Sequence, residues 1–70
     1  MDDWRYLSGV WVADGRKGWY TIKRSNGRLT VWQHSSTSNS VQVGIFPLHS
    51  LDTAQAAAEE FDNQKKRRAS

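Results

Sequence analysis

The sequence predicts an α+β domain: a small antiparallel meander sheet of three to four strands packed on one C-terminal α-helix. Three observations carry this reading. Short runs rich in β-branched and aromatic residues fill about residues 7–46 and are separated by two glycine-containing turn signals and one Ser-rich tract. Asn26-Gly27, the dipeptide best suited to a two-residue hairpin loop, lies between two of these runs. After Pro47 the pattern turns helical, with Ala54, Ala57, Ala58 and Phe61 recurring at i, i+3, i+4 and i+7.

The elements follow in order. Residues 7–13 (LSGVWVA) read as the first strand, and Asp14-Gly15-Arg16-Lys17-Gly18 as a turn with two glycines. Residues 19–24 (WYTIKR) and 28–34 (RLTVWQH) are the second and third strands, joined through Ser25-Asn26-Gly27-Arg28. The tract Ser35 to Ser40 lacks apolar anchors and reads as a connector. Residues 41–46 (VQVGIF) form a fourth strand with Val41, Val43 and Ile45 on one face. Pro47 ends that run. Asp52 is then the expected N-cap, with Gln55 completing a capping-box-like pair, and the helix spans about residues 53–67. Its alanines let it lie close to the sheet, while Phe61 fills the larger gap. Lys65-Lys66-Arg67-Arg68, in a basic tail over residues 65–70, complements the negative end of the helix dipole. A closed SH3-like barrel over residues 7–46 with the helix appended is the alternative architecture.

Size and composition narrow the function. Seventy residues make a single domain over positions 1–70. Such a chain hides only about 60% of its unfolded surface, which leaves little room for a deep catalytic pocket. Cysteine is absent, so neither disulfides nor thiolate metal sites are available, in keeping with a reducing compartment. No apolar run approaches the roughly 20 residues of a membrane span. The start Met1-Asp2-Asp3 is acidic and is not a secretory signal. The expectation is a soluble cytoplasmic protein, nuclear if the source is eukaryotic, with no membrane partner.

Catalytic chemistry finds no pattern. His34 and His49 are the two histidines. A Ser35, His34 and Asp62 arrangement has no spacing in its favour, and no glycine-rich phosphate loop opens a helix. No enzyme, metal or cofactor is expected.

Charge and strand periodicity point instead to a contact surface. Ten basic and seven acidic residues give a formal charge of +3, and the segment Arg16 to Arg28 holds five of the basic residues and no acid. Alternation places Val10, Val12, Tyr20, Ile22, Leu29 and Val31 on one face of the sheet. The helix should cover that face. The other face then carries Trp11, Trp19 and Trp32 among Lys17, Lys23, Arg28 and His34. Exposed indoles beside cations suit a polyanion that has bases. The candidate nucleic-acid-binding set is Trp11, Arg16, Lys17, Trp19, Thr21, Lys23, Arg28, Thr30, Trp32 and His34. DNA is the expected partner, duplex rather than single-stranded, with the chain a monomer or weak homodimer. The alternative is a protein-interaction module that docks through the same tryptophan-rich face. Trp4 and Tyr6 are expected to pack on the core.

Several segments together resemble the AP2/ERF-type DNA-binding domain and the arm-binding domains of integrases. They are Gly9-Val10, Gly18-Trp19-Tyr20-Thr21-Ile22-Lys23, Gly27-Arg28-Leu29-Thr30-Val31-Trp32, Gly44-Ile45-Phe46 and Asp52-Thr53-Ala54-Gln55-Ala56-Ala57-Ala58. The resemblance implies a three-stranded antiparallel sheet on one helix, reading the major groove with its exposed face. Trp19, Lys23, Arg28 and Trp32 fall where such sheet-face contacts lie. Here the Ser-rich tract separates Trp32 from Gly44, which leaves room for a fourth strand.

Overall fold

A computed structural model describes residues 4–35 and 39–63. Five strands, β1 (Arg5–Leu7), β2 (Val10–Asp14), β3 (Trp19–Ser25), β4 (Arg28–His34) and β5 (Ser40–Pro47), precede one helix, α1 (Leu51–Asn63). The strands pair in sequence order, each antiparallel to the next, in one open sheet with β1 and β5 at its edges. The α+β meander with a C-terminal helix is therefore present, with five strands where three to four were expected and without closure into a barrel.

The extra strand comes from the segment read as a single run over residues 7–13. Ser8 and Gly9 have φ values of 52° and 83°, and the chain reverses there. Asn26 and Gly27 repeat this geometry at 54° and 73°. Both are two-residue loops with positive φ at each central position, whose twist matches that of the flanking strands.

The next correction concerns β2. Its partners across β3 are Trp11 with Ile22 and Ala13 with Tyr20, while Val10 meets Lys23 and Val12 meets Thr21. Directly opposed residues share a face. Trp11 therefore lies on the helix side, and Val10 and Val12 lie on the bare side, the reverse of the expected assignment. The cause is loop length. Asp14 pairs with Trp19, so the turn holds the four residues 15–18. An even-numbered loop puts Asp14, rather than Ala13, on the face of Trp19, and one step of register moves every side chain across the sheet.

β5 departs from plain alternation as well. Gly44 opposes Val31 and Gln42 opposes Trp32, so Val43 is the additional residue of a β-bulge. Val43 packs against the core, whereas Ile45 stands opposite Thr30 on the bare face. Val41, Val43 and Ile45 thus do not share one side.

α1 begins at Leu51, earlier than expected, and Asp52 is not the cap. The carbonyl of Ser50 accepts the Ala54 N–H at 3.0 Å, which puts Ser50 at the N-cap. Asp52 lies inside the first turn, where its charge favours the positive helix end. The expected helix end at residue 67 and the basic tail lie outside the described residues.

Tyr20, Ile22, Leu29 and Val31 meet Ala54 and Ala58, all at most 6% exposed. Each buried Ile, Leu or Val contributes about 1.5–3 kcal/mol. Trp4, Trp11, Val43, Phe46, Leu51 and Phe61 pack around this centre. The helix lies over β3, β4 and β5 and does not reach β1 and β2. There Trp4 and Trp11 extend the core, as expected for Trp4, while Tyr6 rests on Trp11 at 4.9 Å with 57% of its surface exposed. Among the described residues, no helix is long and apolar enough to cross a membrane.

Candidate nucleic-acid interface

Cross-strand pairing arranges the bare face in rows. One row runs Asp14, Trp19, His34 and Ser40; the next Arg5, Val12, Thr21, Trp32 and Gln42. A third holds Leu7, Val10, Lys23, Thr30 and Ile45, and the last Ser25, Arg28 and Pro47. Successive rows lie about 7 Å apart along a strand. Along the β3–β4 ribbon the surface therefore changes from aromatic to cationic: Trp19 with His34, then Trp32, then Lys23, then Arg28 beside the Asn26-Gly27 turn.

The aromatic end is held rigidly. His34 stacks on Trp19 with ring centroids 5.5 Å apart and planes 17° from parallel. Its Nε2 bonds to Thr21 Oγ1 at 2.9 Å and its Nδ1 to Ser40 Oγ at 2.9 Å. Each hydroxyl can donate or accept, so it takes whichever role the ring nitrogen it faces leaves open. Both edges of the imidazole are thus occupied, and its plane supports the indole. Trp19 is 39% exposed and Trp32 is partly buried between Thr21 and Gln42.

The cationic end is open. Lys23 and Arg28 are exposed, and no ion pair among the described residues engages them. Arg28 also lines an open groove of about 540 Å3 with Ile45, Phe46, Pro47, Leu48 and His49. Arg5 faces Asp14 at 3.8 Å, but both side chains are more than half exposed, and such a pair contributes little.

Three members of the expected set lie elsewhere. Trp11 is under the sheet, on the helix side. Arg16 and Lys17 sit in the β2–β3 turn, at the last turn of the helix. Lys17 Nζ lies 4.8 Å from the centre of the Phe61 ring. Asp62, only 7% exposed, accepts from Arg16 N at 3.0 Å, Lys17 N at 2.9 Å and Tyr20 Oη at 3.0 Å. Burial pushes its carboxyl up, but the two backbone donors, the Tyr20 hydroxyl and the Arg16 charge outweigh this, and the net shift is downward. Burial, and then the bond to Asp62, push the Tyr20 phenol well above its ordinary value. This clasp is structural: Asp62 lies beneath the sheet and His34 on the other side, so the Ser35, His34 and Asp62 arrangement does not assemble.

Thr21, Thr30, Trp19, Trp32, Lys23, Arg28 and His34 do share the bare face. Sequence reasoning missed Ser40, which orients His34, and the aliphatic flank of Leu7, Val10, Val12 and Ile45. Ser8-Gly9, a recognised turn dipeptide, was an available signal for the flank. Asp62 also left a trace, as the polar residue four places beyond Ala58 on the buried helix stripe.

Comparison with protein families, with curated proteins and with solved structures gives no match.

Proposed function

We propose that this chain is a non-enzymatic nucleic-acid-binding module of the cytoplasm, or of the nucleus in a eukaryote, that engages duplex DNA with its bare sheet face. The observation that carries the reading is the juxtaposition of Trp19 and Trp32 with Lys23, Arg28 and His34 on a surface that no described element covers. Lys23 and Arg28 contact phosphates or the guanine edge, for which the Arg fork is suited. Trp19 and Trp32 pack on sugars or thymine methyls. Thr21 and Thr30 supply hydrogen bonds between them. The motifs resembling the AP2/ERF and integrase arm-binding domains support the same use of a sheet face.

A salt titration tests this. With few free cations on the face, the slope of log affinity against log salt is expected to be shallow, about 0.9 per phosphate contacted. Replacing Lys23 and Arg28 together by alanine should remove about two such contacts from the slope. Absence of binding to pooled duplexes and single strands at low salt ends the proposal.

A second reading, docking onto a protein through the same face, is favoured by the aliphatic flank, where Leu7 is 54% and Ile45 50% exposed. The double alanine replacement separates the two. It cripples polyanion binding and affects a mainly apolar contact far less.

A further inference from the structure

The two ends of the sheet differ in charge. At the 15–18 turn, Asp14, Glu59 and Asp62 border a polar hollow that Arg16 also lines. At the other end, between the Asn26-Gly27 turn and the turn that leads from β5 into α1, lies the open groove of about 540 Å3. Its walls include Arg28, Ile45, Phe46, Pro47, Leu48 and His49, and no carboxylate of the described residues lines it. Arg28 is exposed and enters no ion pair among the described residues, while Ile45 and Leu48 are 50% and 42% exposed. The groove thus joins a guanidinium to uncovered apolar wall.

Its position follows from the register. Arg28 opposes Pro47 in the last row of the bare face, so the groove begins where the track of Trp19, Trp32, Lys23 and Arg28 ends. Ile45 opposes Thr30 and faces the bare side, whereas Phe46 opposes the buried Leu29 and faces the helix side. The groove therefore leads off the sheet face and around the end of β5. A duplex lying on the face cannot follow it, because duplex DNA is stiff over a persistence length of about 50 nm. A single strand can. The volume falls within the range of about 300–1,000 Å3 typical of small-molecule sites, which admits one nucleotide and excludes a duplex.

We infer that this groove binds the first unpaired nucleotide of a duplex that ends in a single-stranded tail, so that the protein selects a junction between paired and unpaired DNA. The inference rests on the nucleic-acid reading above and adds the form of the ligand. Charge and shape select the occupant. The Arg28 guanidinium presents a fork of donors to the phosphate at the junction. Beyond it, Phe46, Pro47 and Leu48 offer apolar surface to the face of a base, and the His49 ring can stack on the base or bond to its edge. An acidic peptide would also suit Arg28. Continuity favours a nucleic-acid strand: Arg28 belongs both to the track on the sheet and to the groove, and a strand held at Lys23 reaches it one row, about 7 Å, further on.

Fluorescence anisotropy with a labelled blunt duplex, and with the same duplex carrying a short unpaired tail in either polarity, tests this. A tail in one polarity is expected to tighten binding by about tenfold, the effect of one stacked base. A tail of abasic sugars, which keeps the phosphates and lacks the bases, should recover little of that gain. Equal affinity for blunt and tailed duplexes overturns the inference and leaves the duplex reading standing. An abasic tail as effective as the natural one overturns it too, since the gain is then phosphate contact alone. So does a single strand bound as tightly as the tailed duplex, because no junction is then selected. Leu48→Ser and His49→Ala lie beyond the last row of the sheet face. Each should erase most of the gain from the tail while blunt-duplex affinity, circular dichroism and melting stay as in the parent. Retention of the full gain in both variants refutes the groove as the site. If neither blunt nor tailed duplex binds at low salt, the nucleic-acid reading fails and the inference falls with it.

Discussion

The turns at the two ends of β3 are built on different principles. Asn26-Gly27 is a two-residue loop whose shape follows from its own backbone, and Gly27 has nothing within 4 Å of the place a Cβ would take. The turn at residues 15–18 has one backbone bond of its own, Gly15 N–H to the Gly18 carbonyl at 2.7 Å, and is otherwise tied to distant parts of the chain. Asp62 of α1 accepts two of its N–H groups, and Gln33 of β4 donates to its Lys17 carbonyl at 2.7 Å. A Cβ on Gly15 would meet Asp62 Oδ1 at 2.7 Å, and one on Gly18 would collide with the His34 carbonyl. One turn is local and tolerant. The other is a packed junction where helix, loop and sheet meet, and the difference teaches which sequence signals can be trusted: those whose cause lies within a few residues.

The comparison breaks most severely at Gly18. Its φ of 136° is hostile to side chains, and Gly18→Ala also drives a methyl into β4. The expected cost is about 4 kcal/mol, enough to abolish a cooperative urea transition in a small domain. Asp62→Ala comes next. It strips acceptors from the Tyr20 hydroxyl and two backbone N–H groups, and should lower the unfolding free energy by about 3 kcal/mol in denaturant titrations.

Acid should reproduce part of that loss. The folded carboxyl of Asp62 lies below its ordinary value, so the unfolded chain takes up the proton first as pH falls. Its contribution is present above about pH 4, the unfolded value, and is lost as pH drops through the folded one. Melting temperatures followed from neutral pH to about pH 2 should therefore fall more steeply in the parent than in Asp62→Asn. Tyr20 acts in the opposite sense. Its raised value favours the folded state below about pH 10, and that advantage is lost as pH climbs above. The smallest effect belongs to Gly27→Ala, which places a methyl in open space at a φ of 73° and should cost about 1 kcal/mol. If it destabilised the domain as much as Gly18→Ala does, the distinction between the turns would be void.

The same division runs through the reading of the sequence. Residues 19–34 take the strands and faces their alternation predicts because a two-residue turn sets their pairing locally. The helix was legible from its alanine stripe. Trp11 lies on the face opposite to the expected one because the length of the 15–18 turn decides β2's register, and that turn, closed within itself by the Gly15 N–H to the Gly18 carbonyl, is held in addition by Asp62 and Gln33 from far along the chain. Ile45 was misplaced by the bulge at Val43, and bulges leave no pattern in a short apolar run. Ser50 rather than Asp52 took the N-cap because the turn from Pro47, closed by the Ser50 N–H at 3.0 Å, delivers the chain to the helix one residue before Leu51. Of the candidate interface, the Trp19, Lys23, Arg28, Trp32 and His34 core was legible; the aliphatic flank and the removal of Arg16 and Lys17 to the helix end were not.

Local sequence alone dictated the strands of the central hairpin, the aromatic-to-cationic gradient along it, and a helix smooth enough to approach a sheet. Those properties follow from conformational preferences and side-chain alternation, which act over a few residues. Only the folded chain decided which tryptophans remain at the surface, that Asp62 seals a turn more than forty positions away, and that β5 ends the sheet uncharged. These depend on register, and register is settled by contacts between segments that meet only after folding.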